Sequence, residues 1–308
     1  MPRLSLIICR YDETHFARLR ENLRATLTTA PEVVAVDNRD NRHDIFSAYN
    51  EGLARATGEL LCFLHEDLTF PDAGWDARAV AHFDADAGLG MIGVAGARSL
   101  QVCPRSWKQT YYPDDYAQAL TEHDGRDGTF GLGPDGRRQV LLLDGLWMCV
   151  RRSVVEAHGL RFDESHYRGF HRYDYDFSMQ VLHHARVAVV GDIRPLHYST
   201  GRRDRDWMAA SVAFQRKWNG FLPCGVREGE AGLRPLSWSR GDYRAVVRFA
   251  LNMRKLGFPR AEIDDLLDVV LGAPSRKPYE LRLLDCYARA RGMGAIKAVD
   301  VRAEMAAS

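Results

Sequence analysis

Two acids in this sequence stand directly after short apolar runs, where the end of a strand would present them to a ligand. Asp37 follows Val33–Val36, and Asp67 follows Leu60, Leu61, Cys62, Phe63 and Leu64 by way of His65 and Glu66. Ligands of open α/β sheets bind outside the carboxyl ends of the strands. A carboxylate placed there can hold a divalent cation such as Mn2+ or Mg2+, accept hydrogen bonds from a base or ribose, or simply cap the next helix. His197, in the segment R-P-L-H-Y-S-T-G, also follows an apolar run. Its imidazole suits Mn2+ better than Mg2+, although a lone histidine is often structural. Asp174 and Asp176 lie in F-H-R-Y-D-Y-D-F. A carboxylate there can take a proton from a hydroxyl, or it can stabilise a helix N-terminus. Arg202, Arg203 and Arg205 follow Gly201. Guanidinium groups bind phosphate bidentately, yet Asp204 and Asp206 interrupt the run and allow a plain solvated face.

Those residues need elements to position them. The spacing predicts strands over Leu4–Cys9, Val33–Val36, Leu60–Leu64, Leu89–Val94 and Val187–Val190. It predicts helices over Thr14–Leu27, Asp44–Ala56, Trp75–Phe83 and Tyr173–His184, the first with Phe16, Leu19, Leu23 and Leu27 on one face. Strands alternating with helices imply a doubly wound, mostly parallel sheet in an α/β fold. Residues 101–138 are rich in Gly, Pro, Asp and Tyr, with a short helix expected over Tyr116–Leu120. The apolar runs Val140–Leu143 and Trp147–Val150 are split by Asp144-Gly145. After Gly225 three helices are expected, over Asp242–Leu256, Ala261–Leu271 and Tyr279–Arg291. A boundary there divides the chain into residues 1–225 and a helical extension, 226–308.

Composition narrows the function classes. At 308 residues, 46% hydrophobic and 27% charged, the chain reads as an ordinary soluble globular protein of one large or two modest domains. A net charge of +1 excludes a strongly basic nucleic-acid or membrane binder. The six cysteines are scattered without a C-x-x-C pair, which argues against a disulfide framework or a zinc site. The start M-P-R-L-S-L-I-I-C-R is charged too early for a signal peptide. No apolar run reaches the ~20 residues that span a bilayer. A cytoplasmic protein is the expectation. Arg244, Arg248, Arg254 and Lys255 beside Val246, Val247, Phe249, Leu251 and Met253 could mark a membrane-surface helix; packing on the next helices or on a second copy is the simpler reading.

The ordered set I-I-C-R, V-D-N, Y-N-E-G-L-A-R-A-T-G-E-L-L-C-F-L-H-E-D, a late acidic helix and a strand followed by histidine resembles family 2 glycosyltransferases of the GT-A fold, over residues 3 to 222. That family usually shows D-x-D where this chain has His65-Glu66-Asp67, which is closer to the StrF-type branch. F-H-R-Y-D-Y-D-F resembles the family's E-D-x-D-L element, with Tyr173 in place of the glutamate. The resemblance implies inverting transfer of a sugar from a nucleotide diphosphate sugar to a saccharide or other hydroxyl acceptor, in polysaccharide or glycoconjugate synthesis. It implies Asp174 as general base and Asp176 as structural. Asp67 and His197 would hold Mn2+ or Mg2+. Cys9, Arg10, Asp37, Asn50, His65, Glu66, Arg202 and Arg203 would lie on the donor side, and Asp144, Trp147 and His171 on the acceptor side. Trp147, or Trp107, Tyr111 and Tyr112 in the long loop, could stack on a sugar.

The sequence is also compatible with two other readings. A non-catalytic nucleotide-sugar-binding module would explain the replacements at His65 and Tyr173. A nucleotidyltransferase would use a similar sheet, but Arg10-Tyr11-Asp12-Glu13-Thr14 lacks the glycine such enzymes place after the first strand.

Overall fold

The computed structural model describes residues 3–104, 106, 116–119, 126, 128–198 and 203–271. Trp107, Tyr111, Tyr112, Arg202 and the helix expected over Tyr279–Arg291 lie outside the described residues. In chain order the elements are β1 (Leu4–Arg10), α1 (Glu13–Thr26), β2 (Glu32–Asp37), α2 (Ile45–Arg55), β3 (Leu60–Leu64), β4 (Leu68–Thr69), α3 (Trp75–Asp84), β5 (Leu89–Gly93), β6 (Ala95–Ala97) and β7 (Ser99–Leu100). There follow β8 (Tyr116–Gln118), β9 (Arg137–Val140), β10 (Leu142–Leu143), β11 (Trp147–Arg151), α4 (Arg152–Ala157), α5 (Tyr173–Leu182), β12 (Arg186–Val190) and β13 (Leu196–His197). Last come α6 (Arg205–Trp218), β14 (Cys224–Val226), β15 (Leu233–Pro235), α7 (Arg240–Lys255) and α8 (Arg260–Leu271).

The central sheet has the order β2-β1-β3-β11-β5-β12-β9. Strands β2, β1 and β3 are parallel to one another, as are β5 and β12. Strand β11 runs antiparallel between β3 and β5, and β9 runs antiparallel at the edge. Helices cover the sheet because their sequences carry one apolar stripe each. In α1, Phe16, Leu19 and Leu23 are buried at helical spacing, and the Asp12 carboxylate accepts from the Thr14 and His15 amides at the N-cap. In α2, the Asp44 side chain accepts from the Ser47 amide, and Ile45, Phe46, Tyr49 and Gly52 face the core. Every residue of β3 is buried, as its unbroken apolar run requires in a strand covered on both faces.

Residues Tyr116–Gln118 are a strand, not the helix expected there. They pair antiparallel with β6, and Gln118 exchanges backbone hydrogen bonds with Phe130. So short a segment gains little from helix formation, whose nucleation is costly, and a nearby strand edge satisfies its amides instead. The run Val140–Leu143 likewise divides: β9 joins the central sheet, while β10 turns away to pair with β6.

At the expected boundary after residue 225 the chain is inside β14, whose hairpin with β15 also pairs with β7. Helix α7 then starts with a capping box between Ser239 and Asp242. Its Val246, Phe249, Ala250 and Met253 are buried, as are Ile263, Leu266 and Val270 of α8. Those four α7 side chains are therefore covered by protein, while Leu251 is exposed. Among the described residues, no helix is long and apolar enough to cross a membrane.

Buried Asp176 ties α5 to α6. Its carboxylate accepts from Trp218 Nε1 at 2.8 Å, Tyr167 Oη at 3.1 Å and Gln180 Nε2 at 2.7 Å, and pairs with Lys217 Nζ at 2.8 Å. Removing one partner of a buried pair leaves the rest desolvated without compensation, although Lys217 keeps Asp163. Asp176→Ala is expected to cost on the order of 3 kcal/mol, read from the midpoint of urea unfolding. A midpoint equal to that of the parent would show that this network does not hold α5 in place.

Candidate active site

The carboxyl ends of β1 and β3 open into a cleft of about 640 Å³, within the usual range for small-ligand sites. Cys9, Tyr11, Asp12 and His15 line it from the first strand and its loop, Asn41, Ile45 and Tyr49 from the second unit, and Leu64 to Asp67 form its floor, with Phe170 and Tyr173 closing one side.

After β3 the chain leaves extended geometry: Glu66 and Asp67 form a turn that leads into β4, and His65 and Asp67 both line the cleft. Strand β4 then pairs antiparallel with β13, setting His197 opposite Leu68. That pairing brings a distant histidine to Asp67. His197 Nε2 lies 3.4 Å from Asp67 Oδ2, and His65 Nδ1 lies 3.8 Å from Asp67 Oδ1. One ligand atom from each of the three side chains lies within 4.8 Å of the others. Metal–ligand bonds of roughly 2 Å can be made from that spread with small rotations. Two imidazoles and one carboxylate form a donor set that suits Mn2+ better than Mg2+. Burial, and then the neighbouring His197, hold His65 below its ordinary pKa, so its ring is neutral, as a ligand must be. Asp67 and His197 were expected here. His65 was expected on the nucleotide instead; the turn at Glu66-Asp67 sets it beside Asp67.

The other donor-side residues separate. Cys9 lines the cleft as a neutral thiol, pushed up to about 11 by burial. Arg10 stands opposite Asp37 in the strand register, pairs with Glu13 and lies over the Phe16 ring. Exposed Asp37 is clasped by Arg39 at 2.6 Å, which holds its carboxyl well below the usual range. Glu66 does not offer a free carboxylate. Its two oxygens accept from the Tyr11 and Asp12 amides, each at 2.8 Å, and so fix the loop that starts α1. Asn50 is turned away from the cleft: its amide donates to Phe162 O at 2.7 Å and accepts from Phe162 N at 3.0 Å. These long-range partners, not a nucleotide, explain an asparagine at that position. Arg203 is exposed and lies 5.9 Å from the Trp207 ring.

On the opposite side, α5 starts from Arg172, a non-glycine residue at φ +69°, a conformation that needs support from its surroundings. The buried Arg172 guanidinium supplies it, donating to Ser211 Oγ at 2.8 Å and Pro104 O at 2.8 Å. This sets Tyr173 and Asp174 in the first turn of α5. Asp174 Oδ2 accepts from the Gly145 amide at 3.1 Å, and Oδ1 from the Tyr175 amide at 2.9 Å. Burial, then the neighbouring Asp144 carboxylate, push Asp174 up to about 7. Asp144 Oδ1 itself accepts from the Leu146 amide at 3.2 Å. His171 is partly buried, 3.9 Å from Asp204. Burial lowers its pKa. Trp147 is not a sugar platform. It is 0% exposed, sits opposite Leu64 in the sheet and packs edge-on against Trp75. The exposed aromatic faces in the cleft are Tyr11 and Phe170, which nothing in their local sequence had marked.

A family model described as "Glycosyltransferase like family" matches residues 5–215. Among curated proteins, the chain is 27% identical over 222 residues to "ATP synthase subunits region ORF 6" of Fuscovulum blasticum, covering 69% of this chain and 82% of that protein. It is 26% identical over 191 residues to the streptomycin biosynthesis protein StrF of Streptomyces griseus, covering 59% of this chain and 64% of StrF. Among solved structures, the fold is similar to GalNAc-T7 with UDP, GalNAc and Mn2+, at a TM-score of 0.50 and 12% identity, covering 87% of this chain and 55% of that one. With the family match spanning most of the chain, and the sheet, cleft and strand-end residues arranged as described, this protein belongs to the glycosyltransferase-like family, as a family 2 glycosyltransferase of the GT-A fold.

Proposed function

We propose that this protein transfers a sugar, with inversion, from a nucleotide diphosphate sugar to the hydroxyl of a saccharide or similar acceptor. The observation that carries the reading is the convergence of His65, Asp67 and His197 at a cleft that His65 and Asp67 line, with Tyr173, the residue before Asp174, closing one side. The three side chains would hold Mn2+ or Mg2+. A divalent cation bound there offsets the charge that develops on a departing diphosphate. GalNAc-T7 was solved with UDP, a sugar and Mn2+, which supports this donor class. Asp37 and Cys9 would face the nucleoside. Arg203, with Arg202, would meet the diphosphate, and Phe170 and His171 would border the acceptor.

Asp174 is the proposed base. As the acceptor oxygen bonds to the anomeric carbon, its proton passes to the Asp174 carboxylate and the bond from that carbon to the diphosphate breaks. Two backbone amides hold the carboxylate in one rotamer, so the acceptor hydroxyl meets a fixed oxygen. A base titrating near neutrality is still ionised in use, yet basic enough to take the proton. In a non-catalytic binding module, His65 and Tyr173 would be unrelated losses; instead they lie 2.6 Å apart. The same proposal places the enzyme in the cytoplasm, with residues 226–308 as an extension through which copies associate.

Nucleoside diphosphates should stabilise the protein against heat only with Mn2+ present, and Asp67→Ala should abolish that rise. Saturation at 100 times Kd corresponds to about 2.7 kcal/mol. If no nucleotide shifts the melting temperature, with or without metal, the donor site is wrongly placed. Asp174→Asn should lower transfer by roughly 10²–10⁴-fold with nucleotide affinity kept. It should also melt no lower than the parent above neutral pH, because it spares a buried charge. Full transfer in this variant would remove Asp174 from the mechanism. Since the folded-state pKa is raised to about 7, the ionised base is lost as pH falls through that value. The parent's transfer rate should therefore drop on the acid side of neutrality. A rate–pH profile that stays flat there would contradict the assignment.

A further inference from the structure

We propose that Tyr173 is a positioning residue for the metal ligand His65, and that Gly145 has no side chain because the Tyr173 phenol occupies that space. The inference rests on the metal site proposed above and concerns how this chain builds it. Tyr173 Oη lies 2.6 Å from His65 Nε2, while the other ring nitrogen, Nδ1, faces Asp67. A histidine that ligates through Nδ1 must carry its proton on Nε2, and that N–H needs an acceptor to fix the ring's tautomer and tilt. The phenol oxygen is such an acceptor at hydrogen-bond distance.

Tyr173 is itself held. Its ring is buried, edge-on to Phe46 at 6.3 Å and to Tyr49 at 5.5 Å. It also lies against the backbone of residue 145: a Cβ there would fall 2.2 Å from Tyr173 Oη and 2.4 Å from Cζ. No real side chain tolerates that approach, so any substitution at Gly145 must push the phenol away from His65. The Gly145 amide also donates to Asp174, the residue after Tyr173. One close approach thus orients a metal ligand on β3's end and steadies the base on α5. Two of the positions at which this chain departs from the family's usual pattern, His65 and Tyr173, are direct partners. The replacement of an acid by histidine is matched by a phenol that can receive its N–H.

The test is titration of the full-length protein with Mn2+ alone, following free Mn2+ by electron paramagnetic resonance, in the parent, Tyr173→Phe, Gly145→Ala, His65→Ala and the double variants with His65→Ala. Tyr173→Phe keeps the ring and removes only the hydroxyl. It should weaken Mn2+ binding by roughly 10–100-fold, the usual effect of losing an outer hydrogen bond to a metal ligand. Gly145→Ala should weaken it comparably. Neither change should have any further effect once His65 is alanine. That last readout separates positioning through His65 from general damage to the fold. Parent-like Mn2+ affinity in Tyr173→Phe, or an equal loss in the His65→Ala background, would overturn the inference while leaving the metal site standing. Failure of the parent to bind Mn2+ would overturn both.

Discussion

Strand β3 is buried along its whole length, and the rest of the site depends on that constraint. A strand covered on both faces has nowhere to place polar side chains except at its ends. The chain therefore changes abruptly from Leu64 to His65, Glu66 and Asp67, and the three polar residues emerge together at the carboxyl edge of the sheet. Glu66 turns back to hold the neighbouring loop, while His65 and Asp67 face the cleft. The short β4–β13 pairing then supplies His197. Antiparallel β11, inserted beside β3, begins just after Leu146, whose O receives the His65 amide, so the loop holding Asp144 and Gly145 sits against the same edge.

Concentrating these groups has an electrostatic cost, and the protein shows it. Burial drives Asp174 up and His65 down, each toward its neutral form, as desolvation demands. Neither shift favours the fold, because both mark charges that water would have stabilised better. The compensation is chemical: a neutral imidazole is the form that ligates, and a carboxylate whose pKa is raised is the stronger base when ionised. Arg172 shows the same trade in the backbone, with a left-handed residue at the start of α5 kept in place by a buried guanidinium. Rigid surroundings, chiefly the aromatic cluster of Tyr49, Phe63 and Phe162, hold these unfavourable choices in register.

The parts of the fold governed by local periodicity were legible in the sequence. The spacing of Phe16, Leu19 and Leu23 specifies α1, and the run Leu60–Leu64 specifies β3, because each pattern states which face is buried. The parts governed by distant partners were not. Tyr116–Gln118 becomes a strand only because the β6 edge is beside it, and no feature of those three residues announces that edge. Asn50 reads as a ligand until Phe162 is seen to occupy its amide, and Trp147 reads as a platform until the sheet closes over it. His65 was the instructive case. Set against a D-x-D pattern it reads as a missing acid, and the turn at Glu66-Asp67 that brings it beside Asp67 is not announced by the residue types. The partnership of His65 with Tyr173 could not be read from two segments so far apart.

The central claim is that His65, Asp67 and His197 together hold the cation that carries a nucleotide's diphosphate. Its most direct test is anomalous diffraction from crystals grown with Mn2+ and the nucleoside diphosphate that best stabilises the protein. The account predicts a single strong manganese peak between His65 Nδ1, Asp67 and His197 Nε2, with phosphate density completing its coordination. A peak bound elsewhere in the cleft, or nucleotide density with no manganese beside these three side chains, would contradict it.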